Sequence, residues 1–490
     1  MVVRCDDLKS WHLIYSKNMT ELYDHIDNRF RSDGLDLLET YVGIRSLSPA
    51  FDVLWHEHGE LARAAKLFGD WADTLKIPGL SSRTAEIEGR TPALIVEIPG
   101  SVQREDVPSV LIYGHLDKQP ALGPWQDGTD PFTAVRRGEL VYGRGIVDDG
   151  YALPCALLAV ESLVQAGMHY PPITVVIEAS EESGSPDLAA HLDAISSSLD
   201  NVSLVVCLDS GGLDDQRLWI TTSLRGNLVL TLDVEVLLHG VHSGSAGGVV
   251  PSSFRIVRQL LDRIEDSATG ELRPEFLRAV IPSSVVEHAT SLARELADPL
   301  ARAFPIVEGL RLDGASGADR ILRQTWMPSV AYTGIDGVPL PRDGGNVLRP
   351  HTAVKLSLRL PPTVDALAAQ EGLIALLSEN PPSGARISFV TESPGNGWVA
   401  PEFSPQIAQA IAQGSQAGFS RPPGFCGEGG SIPFLSTLAE RFPQAQVVAT
   451  GALIPGSNAH GPDESLRIPV AVGVGTAVAF LIHAAGVPAD

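Results

Sequence analysis

Apolar residues recur along this chain with two different periods, and the change of period marks its elements. In LARAAKLFGDWADTLK (61–76) they fall at i, i+3 and i+4, and residues 19–90 are predicted to be mainly helical. Short β-branched and apolar runs follow, ALIVEIPG (93–100) and SVLIYGHLD (109–117), which read as strands. PCALLAVESLVQAG (154–167) is a predicted helix ending at Gly167, and ITVVIEA (173–179) and SLVVCLDSGG (203–212) are predicted buried strands. Strands alternating with a helix, each leaving through a Gly-rich turn, indicate an α/β sheet.

Near residue 223 the pattern becomes one of strict alternation. NLVLTLDVEV (227–236), AVKLSLRL (353–360) and ARISFVTES (385–393) suit strands with one solvated face. Helices are predicted at 252–266 and 365–379, so the order resembles a small split-βαβ α+β layer. After about residue 395 the α/β pattern returns in PQIAQAIAQGSQAG (405–418), QVVATGALIP (446–455) and VAVGVGTAVAFLIHAAG (470–486). The expected organisation is an α/β domain in two parts, 1–222 and 395–490, interrupted by an inserted α+β domain, 223–394.

Composition narrows the chemistry. The 59 Asp and Glu outnumber 36 Lys and Arg, for a net charge of −23. Such a surface disfavours nucleic acid and anionic membranes as partners. No run is read as approaching the ~20 apolar residues that span a bilayer, and MVVRCDDLKSWHLIYSKNM has no secretory pattern. Met19, heading the predicted helix MTELYDHIDNRF, is a candidate start. Cys5, Cys155, Cys207 and Cys426 form no CxxC pair and are expected to be reduced, mostly buried thiols. A cytoplasmic location is expected.

Acids and imidazoles gather where the apolar runs end. YGHLDKQP puts His115 and Asp117 two apart, on one face of an extended segment. VYGRGIVDDG sets Asp148 and Asp149 just before a helix, a place where an ordinary cap would also put an acid. EASEESGS carries Glu181 and Glu182 at an irregular strand exit, where adjacent side chains diverge. VVCLDSGG ends on Asp209, and NAHGPDE places His460 in a Gly/Pro/Asn loop. Singly, most of these read more readily as an ordinary loop, cap or turn, and Asp209 equally well as one. Together they sit at the carboxyl ends of successive strands of one sheet, where α/β proteins bind ligands. His115, Asp148, Glu182, Asp209 and His460 offer mixed nitrogen and oxygen donors, which suit Zn²⁺ and also accept Mn²⁺ or Co²⁺. Five donors are too many for one catalytic zinc and about right for two divalent ions sharing a carboxylate.

YGHLDKQP, GRGIVDDG, EASEESGS, CLDSGG and NAHGPDE, in that order, resemble the M20 family of metallopeptidases, most closely its carnosinase-like, cytosolic non-specific dipeptidase branch. The resemblance runs from about residue 20 nearly to the end. It implies a two-metal catalytic domain carrying an inserted lid domain that also makes a homodimer contact. It implies His115 and Asp209 as terminal ligands, Asp148 as the bridging carboxylate joined to Asp149 by a cis peptide, and Glu182 and His460 as the remaining ligands. Glu181 matches the general base and Asp117 the residue that orients His115, with Glu178 in a supporting position. GVHSGSAGG, following LRGNLVLTLDVEV, matches the segment whose His, here His242 rather than His239, serves the partner's site. GGNVLRPHTAVKLSLRL and CGEGGSIP match substrate-binding segments, giving Asn346, Arg359, Gly430 and Ser431. Two features depart from the family: DDGYA lacks the Lys usual after the paired acids, and NVLRP stands where NVIP is usual.

The implied activity is cleavage of the amide bond of dipeptides or short peptides with a free C-terminal carboxylate. A water between two metal ions would attack, Glu181 would shuttle its proton, and Arg359 would anchor the carboxylate. The alternative substrate class is an N-acyl amino acid, cut by an amidohydrolase of aminoacylase or carboxypeptidase type with the same site.

Overall fold

A computed structural model of the chain describes residues 20–101, 107–430 and 433–486. The chain forms two compact units. The first comprises the described residues up to Thr222, Ala400–Cys426, and those from Thr437 onward; the second comprises Ser223–Val399 and Gly427–Ser436. Residues 395–399 and 427–436 therefore group with the second unit, where the sequence pattern put them with the first. Arg225 draws the later segment in, its backbone N–H and Nε donating to the carbonyls of Gly430 and Gly429.

The first unit is a mixed sheet in the order Ser81–Ala85, Ala93–Ile98, Ile173–Glu178, Ser109–His115, Val202–Cys207, Gln446–Ala449 and Trp219–Leu224. Ile173–Glu178, Ser109–His115, Val202–Cys207 and Gln446–Ala449 run parallel, so their carboxyl ends share one edge. Their β-branched runs are buried on both faces, as a parallel sheet covered by helices requires. The helix Ala152–Gln165 is buried along most of its length and packs against Ile468–Ala485.

Ile468–Ala485 is long and apolar enough to cross a membrane by length and composition, contrary to the expectation that no segment is. Its side chains are instead buried in the first unit's core, against Pro405–Phe419 as well. Cys155, Cys207 and Cys426 are buried and in no disulfide; Cys5 lies outside the described residues.

Residues 20–90 are not all helical. Helices cover 20–29, Leu35–Val42 and Glu60–Ala72, but Ser81–Ala85 is a strand antiparallel to Ala93–Ile98. Only its last residue is buried, so SSRTA carries no apolar signal.

The second unit holds a four-stranded antiparallel sheet in the order Ser329–Asp336, His351–Leu360, Gly226–Glu235 and Arg386–Thr391. Helices Ser253–Leu261 and Ala366–Ser378 cover one face over a core of Leu228, Leu230, Leu232, Leu356 and Leu358. The alternating residues of the other face are mainly polar, among them Asn227, Thr231, Asp233, Lys355, Ser357 and Arg359, with Val229 and Val390 between them. The edge strand Ser329–Asp336 is exposed along most of its length and went unpredicted for that reason. The mixed α/β class with a smaller α+β unit is as expected.

Candidate metal centre

The parallel edge of the first sheet gathers the predicted donors. His115 is the last residue of Ser109–His115, Glu181 and Glu182 follow Ile173–Glu178 by one short turn, and Asp209 lies just past Val202–Cys207. Asp148 comes from the irregular turn Ile146–Gly150, whose Asp148–Asp149 peptide is cis. His460 comes from the loop beyond Gln446–Ala449.

Two donor groups result, His115–Asp148–Asp209 and Asp148–Glu182–His460, each with its ligand atoms within 4.8 Å of one another. Asp148 belongs to both. Its Oδ1 lies 3.2 Å from His115 Nε2, and its Oδ2 lies 2.9 Å from His460 Nε2. Asp209 Oδ2 is 3.9 Å from His115 Nε2, and Glu182 Oε2 is 3.3 Å from His460 Nε2. One carboxylate thus turns one oxygen to each set.

Buried polar groups hold this arrangement. Asp117 is fully buried and accepts from the backbone N–H of Glu181 at 3.1 Å and of Glu182 at 3.0 Å. Its backbone carbonyl meets His115 Nδ1 at 3.1 Å, leaving Nε2 to face the acids. Gly114 lets the turn come close, since a Cβ there would meet Asp149 Oδ2 at 2.7 Å; that oxygen accepts from the His115 N–H.

Three supports went unread in the sequence. Glu464, four residues past His460 in NAHGPDE, pairs with buried Arg144 at 2.6 Å and accepts from the backbone N–H groups of Gly145, Val147 and Asp148. An acid inside a quoted motif was the available signal. Gln119 Nε2 donates to Glu182 Oε2 at 2.8 Å. Tyr113 donates its hydroxyl to Glu178, which also accepts from Ser180 and Ser185.

Electrostatically the site is overloaded with acid. Burial pushes Glu181 well above the usual carboxylate range, and Glu182, Asp117 and Asp148 add to this against the pull of His115. Asp209 is raised by burial and by Glu181, and burial likewise lifts Glu178 and Glu464 to about 7. Burial opposes a charged His460, yet Asp148 and Glu182 raise its pKa to about 11. Asp149 Oδ1 is buried with no hydrogen-bond partner among the described residues. Converging carboxylates and imidazoles, short of neighbouring cations, are the donor set that divalent ions fit.

The remaining predicted residues lie in the second unit. His242, whose side chain is exposed, sits on the short strand Val241–His242 opposite Val347–Leu348, and the Asn346 carbonyl accepts from the Ser243 N–H. Arg359 is in the strand His351–Leu360, and Gly430 accepts from the Arg225 backbone. Ser431 lies outside the described residues.

A profile of Peptidase family M20/M25/M40 matches residues 111–483, spanning every donor above. The chain belongs to this family, as its motif order implied, and is an enzyme of the metallopeptidase class. It is 26% identical over 367 residues to the cysteinylglycine-S-conjugate dipeptidase of Corynebacterium striatum, covering 74% of this chain and 77% of that protein. Its fold is similar to human carnosine dipeptidase 1, with TM-score 0.75 and 20% identity over 96% of this chain and 100% of that one. It is similar in the same degree to the dipeptidase Dug1p of Saccharomyces cerevisiae, with TM-score 0.75 and 21% identity over 96% and 99%.

Proposed function

We propose that the chain is a metal-dependent dipeptidase that cleaves the amide bond of dipeptides or short peptides bearing a free C-terminal carboxylate. The observation that carries this reading is Asp148, one carboxylate shared by two donor groups beside the acid Glu181. His115, Asp148 and Asp209 would hold one divalent ion, and Asp148, Glu182 and His460 a second; Zn²⁺ suits the set, with Mn²⁺ or Co²⁺ as alternatives. When bound, such ions supply an acidified water and polarise the scissile carbonyl.

Glu181 takes the proton of the attacking water and returns it to the leaving nitrogen. Asp117 orients His115 and fixes the two glutamates through their backbone N–H groups. Arg359 receives the substrate carboxylate through paired N–H bonds. Asn346, Gly430 and Ser431 complete the substrate contacts, and His242 serves the partner of a homodimer made through the second unit. The exposed apolar side chains of Leu238, Val249 and Val347 near His242 support that last point.

The relatives named as dipeptidases favour this substrate class over N-acyl amino acids. Glu181→Gln, loaded with metal, is expected to keep its metal content and fold while turnover of a dipeptide falls by about 10²–10⁴-fold. Wild-type turnover in that variant would remove Glu181 from the mechanism. Activity that rises when the substrate's amine is acylated would replace the dipeptidase reading with the deacylase one.

A further inference from the structure

Lys118 is fully buried one residue past Asp117, and among the described residues its ammonium donates only to neutral acceptors. Nζ reaches the carbonyls of Ile44 at 2.8 Å, Tyr41 at 2.9 Å and Val42 at 3.4 Å, and lies 3.8 Å from the centre of the Tyr41 ring. These carbonyls belong to the end of the helix Leu35–Val42 and the turn after it, where a cation is favoured. Burial nonetheless brings Lys118 down to about 7, against the pull of Glu464. A lysine at a helix end ordinarily keeps its head in water, so capping alone does not account for this one.

Its stem backs the turn that carries Asp148. Gly145, at φ +81°, leads into Ile146–Gly150, all of it buried. A Cβ at Gly145 would meet Lys118 Cε at 2.5 Å and Cγ at 2.8 Å. A Cβ at Gly143 would meet Val42 Cγ1 at 2.6 Å, and one at Gly150 would strike the Tyr41 ring. The three glycines of GRGIVDDG thus rest on the Lys118 stem and on the two helix residues whose carbonyls the ammonium holds. The backbone is tied in the same place. Lys118 N–H donates to the Ser46 carbonyl at 2.8 Å, and the hydroxyls of Tyr41 and Ser46 each donate to the Leu116 carbonyl at 2.9 Å. Glu464 grips the same turn through the N–H groups of Gly145, Val147 and Asp148.

We propose that Lys118 is a positioning residue for the shared carboxylate: anchored by its ammonium to the end of Leu35–Val42, it fixes the Gly145–Gly150 turn so that Asp148 presents one oxygen to each donor group. This rests on the metal-dependent reading and adds a residue to it. His115, Asp117 and Lys118, within four positions, then serve all of the donor-bearing segments but the two that carry Asp209 and His460. His115 is itself a donor, Asp117 holds Glu181 and Glu182, and Lys118 holds the turn of Asp148. Removing the ammonium would leave a buried carbonyl without its donor and free the stem to shift.

The test compares the full chain with Lys118→Met, which keeps a stem of similar length and loses the ammonium. Zn²⁺ titration against a chelator, amide hydrogen exchange, and kcat and KM for a dipeptide are read on both. Lys118→Met is expected to weaken the binding of both ions by about 10–100-fold, because Asp148 belongs to both donor groups. At saturating Zn²⁺ kcat should stay lowered with KM nearly unchanged, and exchange should quicken over 145–150 while Ala152–Gln165 stays protected. A merely structural Lys118 would lower the thermal midpoint and leave metal affinity and kcat of the folded variant at wild-type values, and that result overturns the proposal. Weakening of one ion alone overturns it too. If Lys118→Met fails to fold, metal-free wild type decides. Protection of the Gly145, Val147 and Asp148 amides before metal is added supports a turn set by the protein, and free exchange there until metal binds overturns it. Wild type that holds two ions yet cleaves no dipeptide overturns the dipeptidase reading instead, while titration and exchange still judge Lys118.

Discussion

Asp117 in the first unit and Asp365 in the second perform the same act in different surroundings. Each carboxylate accepts hydrogen bonds from backbone N–H groups of a following segment. Asp117 is fully buried and takes two, from Glu181 and Glu182. Asp365 is exposed and takes one, from Ala368 at 2.9 Å, at the start of the helix Ala366–Ser378. Water can replace the bond at Asp365 and cannot reach Asp117. A buried acceptor that loses its match leaves donors unsatisfied at full desolvation cost. At Asp117 the first unit fixes Glu181 and Glu182 through two bonds that water cannot replace, while at Asp365 the second caps a helix through one that water can.

The largest effect is expected from Asp117→Asn. The amide oxygen can accept from one of the two N–H groups, while the NH₂ faces the other donor. Metal affinity or turnover should fall by about 10–100-fold, as when a group supporting a metal ligand is removed. Stability should fall by about 1–3 kcal/mol. Metal titration followed by urea unfolding reads both. A variant with wild-type metal affinity would make Asp117 a bystander and erase the contrast.

The convergence of the candidate donors was legible because most of them end apolar strands, and a strand's end can be read from where its β-branched run stops. His115, Glu182 and Asp209 follow from that logic, and Asp148 and His460 from Gly-rich loops beside it. What holds them was less legible. Glu464 acts on residues more than 300 positions away, a pairing no local pattern encodes. Arg225 lies inside a quoted motif, yet its partners include Gly429, some 200 positions on, and Ser329, in an edge strand too exposed to show an apolar period. Ser81–Ala85 was missed for the same reason. Buried strands announce themselves; edge strands and long-range polar clamps do not.

An intermediate case is Glu161, within Ala152–Gln165 and away from the metal centre. Its side chain is 4% exposed and pairs with Arg29 at 2.9 Å and His25 at 3.1 Å, whose own side chains are 30% and 23% exposed. Burial favours its neutral form, but His25 and Arg29 bring its pKa down to about 2. A carboxylate depressed in the folded state contributes stability above its unfolded pKa and loses it as pH falls toward the folded value. Glu161→Gln should thus cost about 1–3 kcal/mol at pH 6–8, less than a fully buried pair because its partners are solvated. The gap between wild type and variant should close as pH falls from about 5 toward 2. Urea midpoints at several pH values measure it, and a gap independent of pH would assign the loss to packing rather than charge.

The smallest effect is expected at Asp365. Asp365→Ala removes the oxygen that caps Ala366–Ser378 and should cost about 1 kcal/mol. Asp365→Asn keeps an oxygen in place and should cost only a few tenths of a kcal/mol. Neither change should alter metal affinity, because the bond it touches serves only the helix that covers the second unit's sheet. Denaturant unfolding of both variants, beside metal titration, sets the scale against Asp117→Asn. Equal losses at Asp365 and Asp117 would mean that burial is not what separates the two bonds. A loss several times smaller at Asp365, with metal binding intact, would tie the difference to access of water to the backbone donor.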